Sequence, residues 1–370
     1  MRFAMIMAGG AGTRLWPMSR RDRPKQLIPF IDRGGGAKSL LTLAADRLDG
    51  LVEPEQRYIC TGERYRDEIK RTVKGFTDAR ILGEPAARDT VNAVGFAAAV
   101  FEKQDPNAVF AVLTSDHIIE PDNVFRERMD LGFRLVEDDP TRICTFSITP
   151  TYPATGFGYV QRGGTIDGFD QKLAFRVGQF VEKPDLPRAQ AYVESGDYGW
   201  NAGMFVVHAG TFLDCLRRFK PESHDGLRQI QGAWGTTDQQ RVLETVYPTL
   251  PKISVDYAVM EPASKDESLT VCGVAMDVDW IDVGSWPSYA ETLGPDADGN
   301  SASGPAKVYA HDARDNLVVT DPDDQNAANV ALLGVSGLAV VQSGGATLVM
   351  PKAMAQQLKE LHEKLPDDLK

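Results

Sequence analysis

Strand-like and helix-like segments alternate through the first half of the chain, and this alternation restricts the possible folds more than any other sequence feature. The strand-like segments are rich in apolar and β-branched residues: Phe3–Ala8, Tyr58–Thr61, Ala79–Leu82, Val109–Thr114 and Arg142–Ile148. Helical spacing of apolar residues recurs between them, at Asn92–Lys103 and Phe125–Val136. The pattern predicts an α/β fold with a Rossmann-like, doubly wound mixed sheet. Such sheets bind ligands where strands end, so the residues after Ala8, Leu82 and Thr114 are the first candidates for chemistry.

The composition is that of an ordinary globular protein, with 42% hydrophobic and 25% charged residues in 370. The formal net charge of -12 disfavours nucleic acid and anionic membranes as partners. The first ten residues, MRFAMIMAGG, form too short an apolar run for a signal peptide or a membrane span, so we expect a cytoplasmic protein. Four scattered cysteines without a CxxC pair indicate neither a zinc site nor a disulfide framework.

Two changes in composition suggest how the chain is organised. A glycine-rich, aromatic stretch at Thr151–Asp185 predicts extra strands that hold the acceptor substrate. The stretch Leu293–Pro305 lacks apolar periodicity and is interpreted as a linker. Short strand-like pieces follow it, at Lys307–Ala310, Leu317–Thr320, Val330–Val335, Leu338–Gln342 and Thr347–Met350, and then a helix-like stretch at Ala353–Leu365. We therefore predict two domains, residues 1–295 and a small β module with a terminal helix at 296–370.

The segment that follows the first strand, AGGAGTRLWPMSRRDRPKQ, is the most specific motif in the sequence. Gly9, Gly10 and Gly12 let backbone amides approach phosphate oxygens closely, and Arg14 and Lys25 supply the positive charge that a triphosphate requires. The segment lacks the Gly-Lys-Ser/Thr of a Walker A loop and the third glycine of a dinucleotide fingerprint. It therefore predicts a triphosphate-binding loop of another kind.

This loop resembles the signature GGxGTRLWPxSRxxxPKQ of the sugar-1-phosphate nucleotidyltransferases, in the mannose-1-phosphate guanylyltransferase (GDP-mannose pyrophosphorylase) branch. The resemblance extends in order and rough spacing over about residues 1–290. Its further motifs are Glu84-Pro85 with Arg88 and Thr90, Thr114–His117, Phe180–Pro184, Asn201–Phe205, Ser254–Tyr257 and Asp282–Trp286.

The resemblance implies a magnesium-dependent enzyme with a GT-A-like nucleotidyltransferase fold. Its substrates would be GTP and mannose 1-phosphate, and its products GDP-mannose and pyrophosphate, formed by in-line attack at the α-phosphorus. The C-terminal module would be a short left-handed β-helix used in a homodimer. The chain is too short after residue 295 for the isomerase domain that some members add, so a single activity is expected.

Two aspartates are the candidate ligands for Mg²⁺. Asp116 follows the apolar strand AVFAVLTS, and Asp282 lies in the turn DWIDVGSW. Two converging carboxylates would let one metal ion bridge the reacting phosphates, and the family uses an equivalent pair. Either aspartate could instead be a turn or helix-cap residue. Asp277 and Asp279 lie nearby and could be ligands in their place, but their alternation with Val278 and Trp280 in a strand indicates that they are solvated. His117 is expected to orient the site, because a sugar phosphate needs no catalytic base.

The acceptor sugar is predicted to contact Glu182, Lys183, Asn201 and Gly158. A carboxylate beside an ammonium suits a sugar hydroxyl and its anomeric phosphate, although an exposed turn before Pro184 is the alternative interpretation. In the family the glutamate binds the sugar and the lysine binds its phosphate. The resemblance implies that Asn201 hydrogen-bonds sugar hydroxyls and that Gly158 offers a backbone amide close to the ring.

The nucleotide is predicted to contact a second segment, Glu84–Thr90, at a strand-to-helix junction where helix amides are available. The resemblance assigns Glu84, Arg88 and Thr90 to the guanine pocket, and Ala8, Thr13 and Ser115 to further nucleotide contacts. The sequence departs from the family here. Asp89 stands where asparagine is usual, and Asn92 stands where a small apolar residue is usual; Asp89 could also be a helix N-cap.

Three other functions remain as alternatives. The chain could use another sugar 1-phosphate and nucleoside triphosphate, or it could be a silent regulatory paralogue that binds nucleotide sugars. A catalytically silent paralogue is disfavoured by the joint presence of Arg14, Lys25, Asp116, Lys183 and Asp282. A Rossmann oxidoreductase is disfavoured by the missing third glycine and by the lack of an acidic residue after a second strand.

Overall fold

The structure is a computed structural model that describes residues 1–10, 12–29, 31–32, 36–324 and 327–370. These residues form two compact units, which are described separately. The first unit comprises Met1–Gly9, Ala45–Thr114 and Ile119–Asp279, and the second comprises Gly10–Ala44, Ser115–Ile118 and Trp280–Lys370. Both units include residues that precede position 295, and the domain boundary at that position stays a prediction.

The secondary structure is numbered along the chain. The strands are β1 (Arg2–Met7), β2 (Ile31–Asp32), β3 (Ala37–Lys38), β4 (Arg57–Gly62), β5 (Ile81–Glu84), β6 (Val109–Thr114), β7 (His117–Glu120), β8 (Arg142–Ile148), β9 (Tyr159–Thr165), β10 (Ala174–Val181), β11 (Tyr198–His208), β12 (Thr270–Ala275), β13 (Asp279–Asp282), β14 (Ser301–Ser303), β15 (Val308–His311), β16 (Leu317–Thr320), β17 (Val330–Leu333), β18 (Leu338–Ser343) and β19 (Ala346–Pro351). The helices are α1 (Leu40–Asp46), α2 (Arg66–Thr72), α3 (Asp89–Gln104), α4 (Asp122–Asp138), α5 (Leu186–Ser195), α6 (Ala209–Phe219), α7 (Pro221–Ala233), α8 (Gln239–Val246), α9 (Glu261–Ala263), α10 (Trp286–Ala290) and α11 (Leu358–Lys364).

One mixed sheet organises the first unit. Among the described residues it has nine strands in the order β5-β4-β1-β6-β11-β8-β12-β10-β9. The strands β5, β4, β1 and β6 are parallel, whereas β11 runs antiparallel to both β6 and β8. The winding direction reverses between β1 and β6, whose last residues, Met7 and Thr114, are register partners. Sheets of this kind bind ligands beyond the carboxyl ends of the strands at such a reversal.

Helices cover both faces of this sheet because its central strands are apolar on both sides. Phe3 and Met5 of β1 belong to a buried cluster that includes apolar residues of α3, α6 and α7. Helix α4 packs on the opposite face, where Gly132 allows close approach: a Cβ there would lie 2.8 Å from Phe146 Cζ. The predicted doubly wound mixed sheet is therefore confirmed.

The second unit contains the C-terminal β module. Consecutive strands alternate between two parallel arrangements, with β14, β16 and β18 in one and β15 and β17 in the other. This path is that of a short β-helix, as predicted; its left-handedness stays a prediction. The buried Asn316 side chain joins successive turns, donating to Asn300 Oδ1 at 2.9 Å and accepting from the Leu338 amide at 3.0 Å.

The linker interpretation of Leu293–Pro305 is wrong at Ser301–Ser303, which form β14 and pair in register with Leu317–Val319. These three residues lack apolar periodicity because their order comes from a parallel neighbour, β16, and from the asparagine contacts at Asn300.

The predicted terminal helix is divided: Lys352–Gln357 form a 3₁₀ helix, and α11 follows.

A second apolar cluster lies within this unit. It joins Leu15, Trp16 and Met18 of the glycine loop to Trp286 and to buried residues of β16, β18 and β19. The indole of Trp286 donates to the carbonyl of Trp16 at 3.0 Å. The residues that follow the glycines of the loop are thereby fixed by packing. None of the helices in the described part of the chain combines the length and hydrophobicity of a membrane crossing.

Candidate active site

The glycine loop has a backbone that only glycine adopts easily at two positions. Gly10 has a φ of 107° and Gly12 a φ of 61°, and Ala11 between them lies outside the described residues. A Cβ on Gly12 would lie 2.6 Å from Ser19 Oγ and 3.0 Å from Lys25 Cβ. Ser19 Oγ donates to the Gly12 carbonyl at 2.9 Å. Gly12 is thus required both by its conformation and by the close approach of Lys25.

Lys25 contacts the strongest metal-ligand candidate. Its buried ammonium donates to Asp116 Oδ2 at 2.8 Å and to the Val283 carbonyl at 3.3 Å. The Val283 amide in turn donates to the Asp116 carbonyl at 3.0 Å. Burial alone would raise the pKa of Asp116, but the Lys25 ammonium and the neighbouring His117 together outweigh it and hold that pKa well below its usual range. Asp116 is therefore an anion at neutral pH.

Asp282 joins this group at the end of β13. Single ligand atoms of Asp116, His117 and Asp282 all lie within 4.8 Å of one another. Two carboxylates offer the hard oxygen ligands that Mg²⁺ prefers. The predicted alternatives fit less well, because Asp279 is exposed and the cap of α10 is Ser285, whose side chain accepts from the Ser288 amide.

His117 is oriented by an aromatic neighbour. The indole of Trp280 donates to His117 Nδ1 at 3.2 Å, and the two rings meet edge to face. A neutral imidazole that accepts at Nδ1 carries its proton on Nε2, which lies 3.7 Å from Asp116 Oδ1. In this tautomer Nε2 has no lone pair for a metal. The residues that fit a magnesium ion are therefore Asp116 and Asp282.

Arg14 lies close to the second of these carboxylates, Asp282. A Cβ on Gly284 would meet Asp282 Oδ1 at 3.1 Å and Arg14 Nη2 at 3.2 Å. Arg14 also donates from Nη1 to Gln356 Oε1 at 2.9 Å. The structure thus brings together four of the predicted residues within the second unit: Arg14, Lys25, Asp116 and Asp282. The positive and negative charges of this group suit a metal-bound triphosphate.

The remaining predicted phosphate contacts are mainly backbone positions. Ala8 is buried, and its amide donates to the Cys60 carbonyl at 2.8 Å. Gly9 is exposed, Ser115 is buried, and Thr13 is half-buried at the start of a 3₁₀ helix. Ala8 is therefore mainly structural in this geometry, whereas Gly9 remains open for an amide contact with a ligand.

The predicted acceptor residues form a second group, within the first unit. The Glu182 side chain is only 6% exposed and pairs through Oε1 with Lys183 Nζ at 2.6 Å. Asn201 accepts at Oδ1 from Thr145 Oγ1 at 2.9 Å, which fixes its amide. A Cβ on Gly158 would lie 2.6 Å from Glu182 Oε2 and 3.2 Å from Asn201 Cβ. All four predicted residues therefore meet. Lys183 is exposed in a bend before Pro184, whereas the Glu182 side chain beside it is buried.

The backbone of Lys183 is strained, with a φ of 47°. Such conformations in a residue other than glycine are uncommon and concentrate at functional sites. Burial lowers the pKa of the Lys183 ammonium, but the bond to Glu182 and the Glu182 charge raise it above its usual value. Lys183 thus stays a cation, as binding of a phosphate requires.

Asp256 belongs to the acceptor group although the sequence analysis gave it no role. Its Oδ1 accepts from Asn201 Nδ2 at 3.1 Å. Burial, together with the charge of Glu182, raises the pKa of Asp256 to about 7. The only sequence signal was its place in the Ser254–Tyr257 motif. Asp256 adds a carboxyl group that changes charge near neutral pH.

The predicted guanine pocket lies elsewhere in the first unit, where β5 meets α3. Glu84 ends β5, and its Oε1 accepts from the hydroxyl of the fully buried Tyr247 at 2.6 Å. Arg88 donates to the Pro248 carbonyl, and Thr90 Oγ1 accepts from the Val255 amide at 2.8 Å. In this geometry Arg88 and Thr90 hold the neighbouring segment, and the Glu84 carboxylate is the group of the three that is the candidate to accept hydrogen bonds from a base.

The two departures from the family pattern have structural explanations. Asp89 has a φ of 62°, a region that aspartate and asparagine both tolerate, and its Oδ1 accepts from the Thr90 amide at 2.8 Å. Arg88, not Asp89, is the residue that precedes the helix. Asn92 is fully buried and donates to the Arg88 carbonyl at 3.0 Å and the Pro251 carbonyl at 2.7 Å. Its amide therefore joins α3 to the segment that follows Tyr247.

Comparison with protein families identifies two matches along the chain. The model of the nucleotidyl transferase family matches residues 3–298, and the model of the MannoseP isomerase/GMP-like beta-helix domain matches residues 308–365.

Curated proteins with similar sequences have concordant names. The mannose-1-phosphate guanylyltransferase ManC of Salmonella typhimurium is 36% identical over 99% of this chain and 73% of its own length. The mannose-1-phosphate guanylyltransferase of Escherichia coli K12 is 35% identical over 99% of this chain and 74% of its own length. A Thermus thermophilus structure described as a mannose-1-phosphate geranyltransferase superposes with a TM-score of 0.83 and 32% identity, covering 98% of each chain.

Proposed function

The chain belongs to the nucleotidyl transferase family, and on that premise we propose that it transfers the guanylyl group of GTP to mannose 1-phosphate, giving GDP-mannose and pyrophosphate. Relatives with that name support the choice of substrates; they match 99% of this chain at 35–36% identity, over 73–74% of their own length. The observation that supports the chemistry most directly is the group formed by Lys25, Asp116 and Asp282. Such a group combines a cation for phosphate with two oxygen ligands for a metal.

The reaction is a direct displacement. A phosphate oxygen of mannose 1-phosphate attacks the α-phosphorus of GTP, a new P–O bond forms, and the bond from the α-phosphorus to the bridging oxygen breaks. Pyrophosphate leaves with that oxygen and its electron pair. The nucleophile is already an anion near neutral pH, so no side chain has to remove a proton. Positioning and neutralisation of charge then provide the rate enhancement.

The charged groups around Asp116 would bind the triphosphate and its metal ion. Arg14, Lys25 and the open amides of the glycine loop bind the triphosphate and stabilise the departing pyrophosphate. Mg²⁺, held by Asp116 and Asp282, would neutralise the negative charge of the phosphate oxygens at the reacting centre. Lys25 keeps Asp116 ionised and so keeps it ready for the metal.

The acceptor group binds and orients the sugar. Glu182, Asn201 and Asp256 offer carboxyl and amide groups for hydroxyls, and Lys183 offers an ammonium for the phosphate. The Thr145 hydroxyl fixes the Asn201 amide, so that its direction is set before the sugar binds. Fixed directions favour one stereoisomer of the sugar because a misplaced hydroxyl leaves these buried polar groups without partners.

Several finer statements belong to the same proposal. Magnesium is the proposed metal because the fitting ligands are carboxylate oxygens. A homodimer, a cytoplasmic location, a left-handed β-helix and a catalytic domain that ends at residue 295 stay predictions from the sequence.

The test is pyrophosphate release with Mg²⁺, using mannose 1-phosphate or glucose 1-phosphate with each of GTP, ATP, UTP and dTTP. We expect turnover with GTP and mannose 1-phosphate to exceed that of every other pair. Turnover with a different pair would retain the reaction but contradict the substrates. Absence of turnover with all pairs would contradict the reaction itself and favour a silent paralogue.

A further inference from the structure

Tyr247 contacts the proposed base pocket from a distant part of the chain. Its hydroxyl donates to Glu84 Oε1 at 2.6 Å, although the two residues are 163 positions apart. The tyrosine is completely buried, and its ring lies 5.8 Å from that of Phe96 on α3. A buried phenol with one short hydrogen bond to a carboxylate has a fixed direction, so the carboxylate is fixed as well.

The segment that begins at Tyr247 is attached along the whole start of α3. Hydrogen bonds join the Val91 amide to the Ile253 carbonyl at 3.3 Å, Asn92 to Pro251 and Thr90 to Val255. The position of the Tyr247 hydroxyl therefore does not depend on Tyr247 alone. This attachment also explains why Asn92, a buried polar residue, stands where the family usually has a small apolar one.

The chemistry of Glu84 points to one kind of base edge. Burial, and to a smaller extent the nearby charge of Asp89, raise the pKa of Glu84, and the Tyr247 hydrogen bond opposes this by favouring the ionised form. An ionised carboxylate only accepts hydrogen bonds, and it has more acceptor sites than the one that Tyr247 occupies. Guanine presents two adjacent donors, N1–H and the 2-amino group. Adenine presents an acceptor beside its amino group, and uracil and thymine present one N–H between two carbonyls.

We propose that Tyr247 is a positioning residue that directs the Glu84 carboxylate towards the two adjacent N–H donors of guanine, and thereby sets the preference for GTP. The inference rests on the proposed function for the identity of the nucleotide. Tyr247 itself does not contact the base. Its role is to hold one carboxylate oxygen so that the remaining acceptor sites of Glu84 point in one direction.

The test compares nucleotides that differ by the 2-amino group alone. Binding of GDP and IDP, in the presence of Mg²⁺ and without sugar, is measured by calorimetry for the full chain and its variants. The wild type should prefer GDP by about 10- to 100-fold, the range expected for a hydrogen bond to a charged group. Tyr247→Phe should reduce this ratio by about tenfold. It should also move the loss of GDP preference at acidic pH to a higher pH, because the donor that favours ionised Glu84 is gone.

Tyr58→Phe is the matched control. Tyr58 is also a buried tyrosine of the first unit, and its hydroxyl donates to a side chain of α3, Gln104 Oε1, at 3.2 Å. Its loss removes a comparable hydrogen bond without touching Glu84, so the GDP-to-IDP ratio should stay at the wild-type value. An unchanged ratio in Tyr247→Phe, or an equal loss in Tyr58→Phe, would overturn the proposal.

A second variant keeps the proposal testable if Tyr247→Phe does not fold. In Glu84→Gln the Tyr247 hydroxyl still donates to the side-chain oxygen, which turns the new NH₂ group towards the base. GDP preference should therefore disappear, and Glu84→Gln with an undiminished preference would contradict the positioning role. Because binding is measured without turnover, a wild type that discriminates GDP from IDP but releases no pyrophosphate would refute the proposed reaction and leave this inference intact.

Discussion

The ammonium of Lys25 lies 2.8 Å from Asp116 Oδ2, so a basic residue of the glycine loop is paired with a candidate metal ligand 91 positions later. The same ammonium contacts the Val283 carbonyl, directly after the second candidate ligand, Asp282. One cation thus connects the loop with both strand ends that supply carboxylates. A metal ion and a triphosphate would be recognised by a single hydrogen-bonded group.

Lys25→Met should reduce kcat by about 100-fold or more, because it removes a positive charge from phosphates whose charge increases in the transition state. Steady-state kinetics with GTP and mannose 1-phosphate measure this effect. Lys70→Met is the control, since Lys70 also pairs with a carboxylate, Asp78, at 2.9 Å but on an exposed surface. Comparable losses in both variants would show that the effect of Lys25 is not specific to the site.

Asp116→Asn and Asp282→Asn should each abolish most metal-dependent turnover, by about 100-fold or more, because an amide is a weaker ligand for Mg²⁺ than a carboxylate. Calorimetric titration with Mg²⁺ in the presence of GTP should show weakened metal binding in both. Asp279→Asn is the matched control, because Asp279 lies on the same strand as Asp282 and is exposed. A loss of metal binding in Asp279→Asn alone would mean that the second ligand has been misassigned.

The fold could be predicted from the sequence to the extent that each element has its own apolar pattern. Strands β1 and β6 are apolar runs that end at glycine or polar residues, and both were found within one residue of their predicted bounds. Ser301–Ser303 were missed because their order depends on a neighbouring strand. Local patterns identify elements that bury their own side chains, and they miss elements that are ordered mainly by pairing.

The residues of the candidate site divide in the same way, into those that local sequence motifs predict and those that depend on distant partners. Lys25, Asp116 and Glu182 lie in compact motifs, so residue chemistry and family resemblance together were enough to propose them. Tyr247 and Asp256 act through hydrogen bonds to Glu84 and Asn201, which are 163 and 55 positions away. Nothing in the local sequence indicates such partners, because they depend on how α3 and the segment after α8 pack within the folded unit.

Asp256 should make sugar binding sensitive to pH. Its pKa is about 7 in the folded protein, so above that pH Asp256 carries a negative charge beside Asn201, in the group that binds the sugar phosphate. We expect the KM for mannose 1-phosphate to rise by several-fold between pH 6 and 8, from repulsion of the phosphate. Asp256→Asn should remove this dependence, since its amide oxygen can still accept from Asn201. A wild-type KM that does not change with pH would contradict the role of Asp256.

The same group should affect stability with a defined sign. The folded-state pKa of Asp256 is above the value of about 3.9 for an unfolded chain, so the folded state binds more protons between these two values. The contribution of Asp256 to the free energy of unfolding should therefore fall as pH rises from about 4 to 7, by about 1.4 kcal/mol for each unit of pKa difference at most. Denaturant unfolding at several pH values should show a smaller decrease for Asp256→Asn. An identical decrease in both proteins would mean that the pKa of Asp256 is not raised.

Gly158→Ala should weaken binding of mannose 1-phosphate and leave GTP binding unchanged. The added methyl group would lie 2.6 Å from Glu182 Oε2, so the buried carboxylate has to move and its contact with Lys183 is disturbed. Crowding of this size costs about 1–3 kcal/mol, which predicts a KM for the sugar phosphate that is about 5- to 150-fold higher. Gly164→Ala, on the strand β9 that Gly158 directly precedes, is the control, because its Cβ would have no neighbour within 4 Å. If both variants had wild-type KM values, Glu182 would not be the group that binds the sugar.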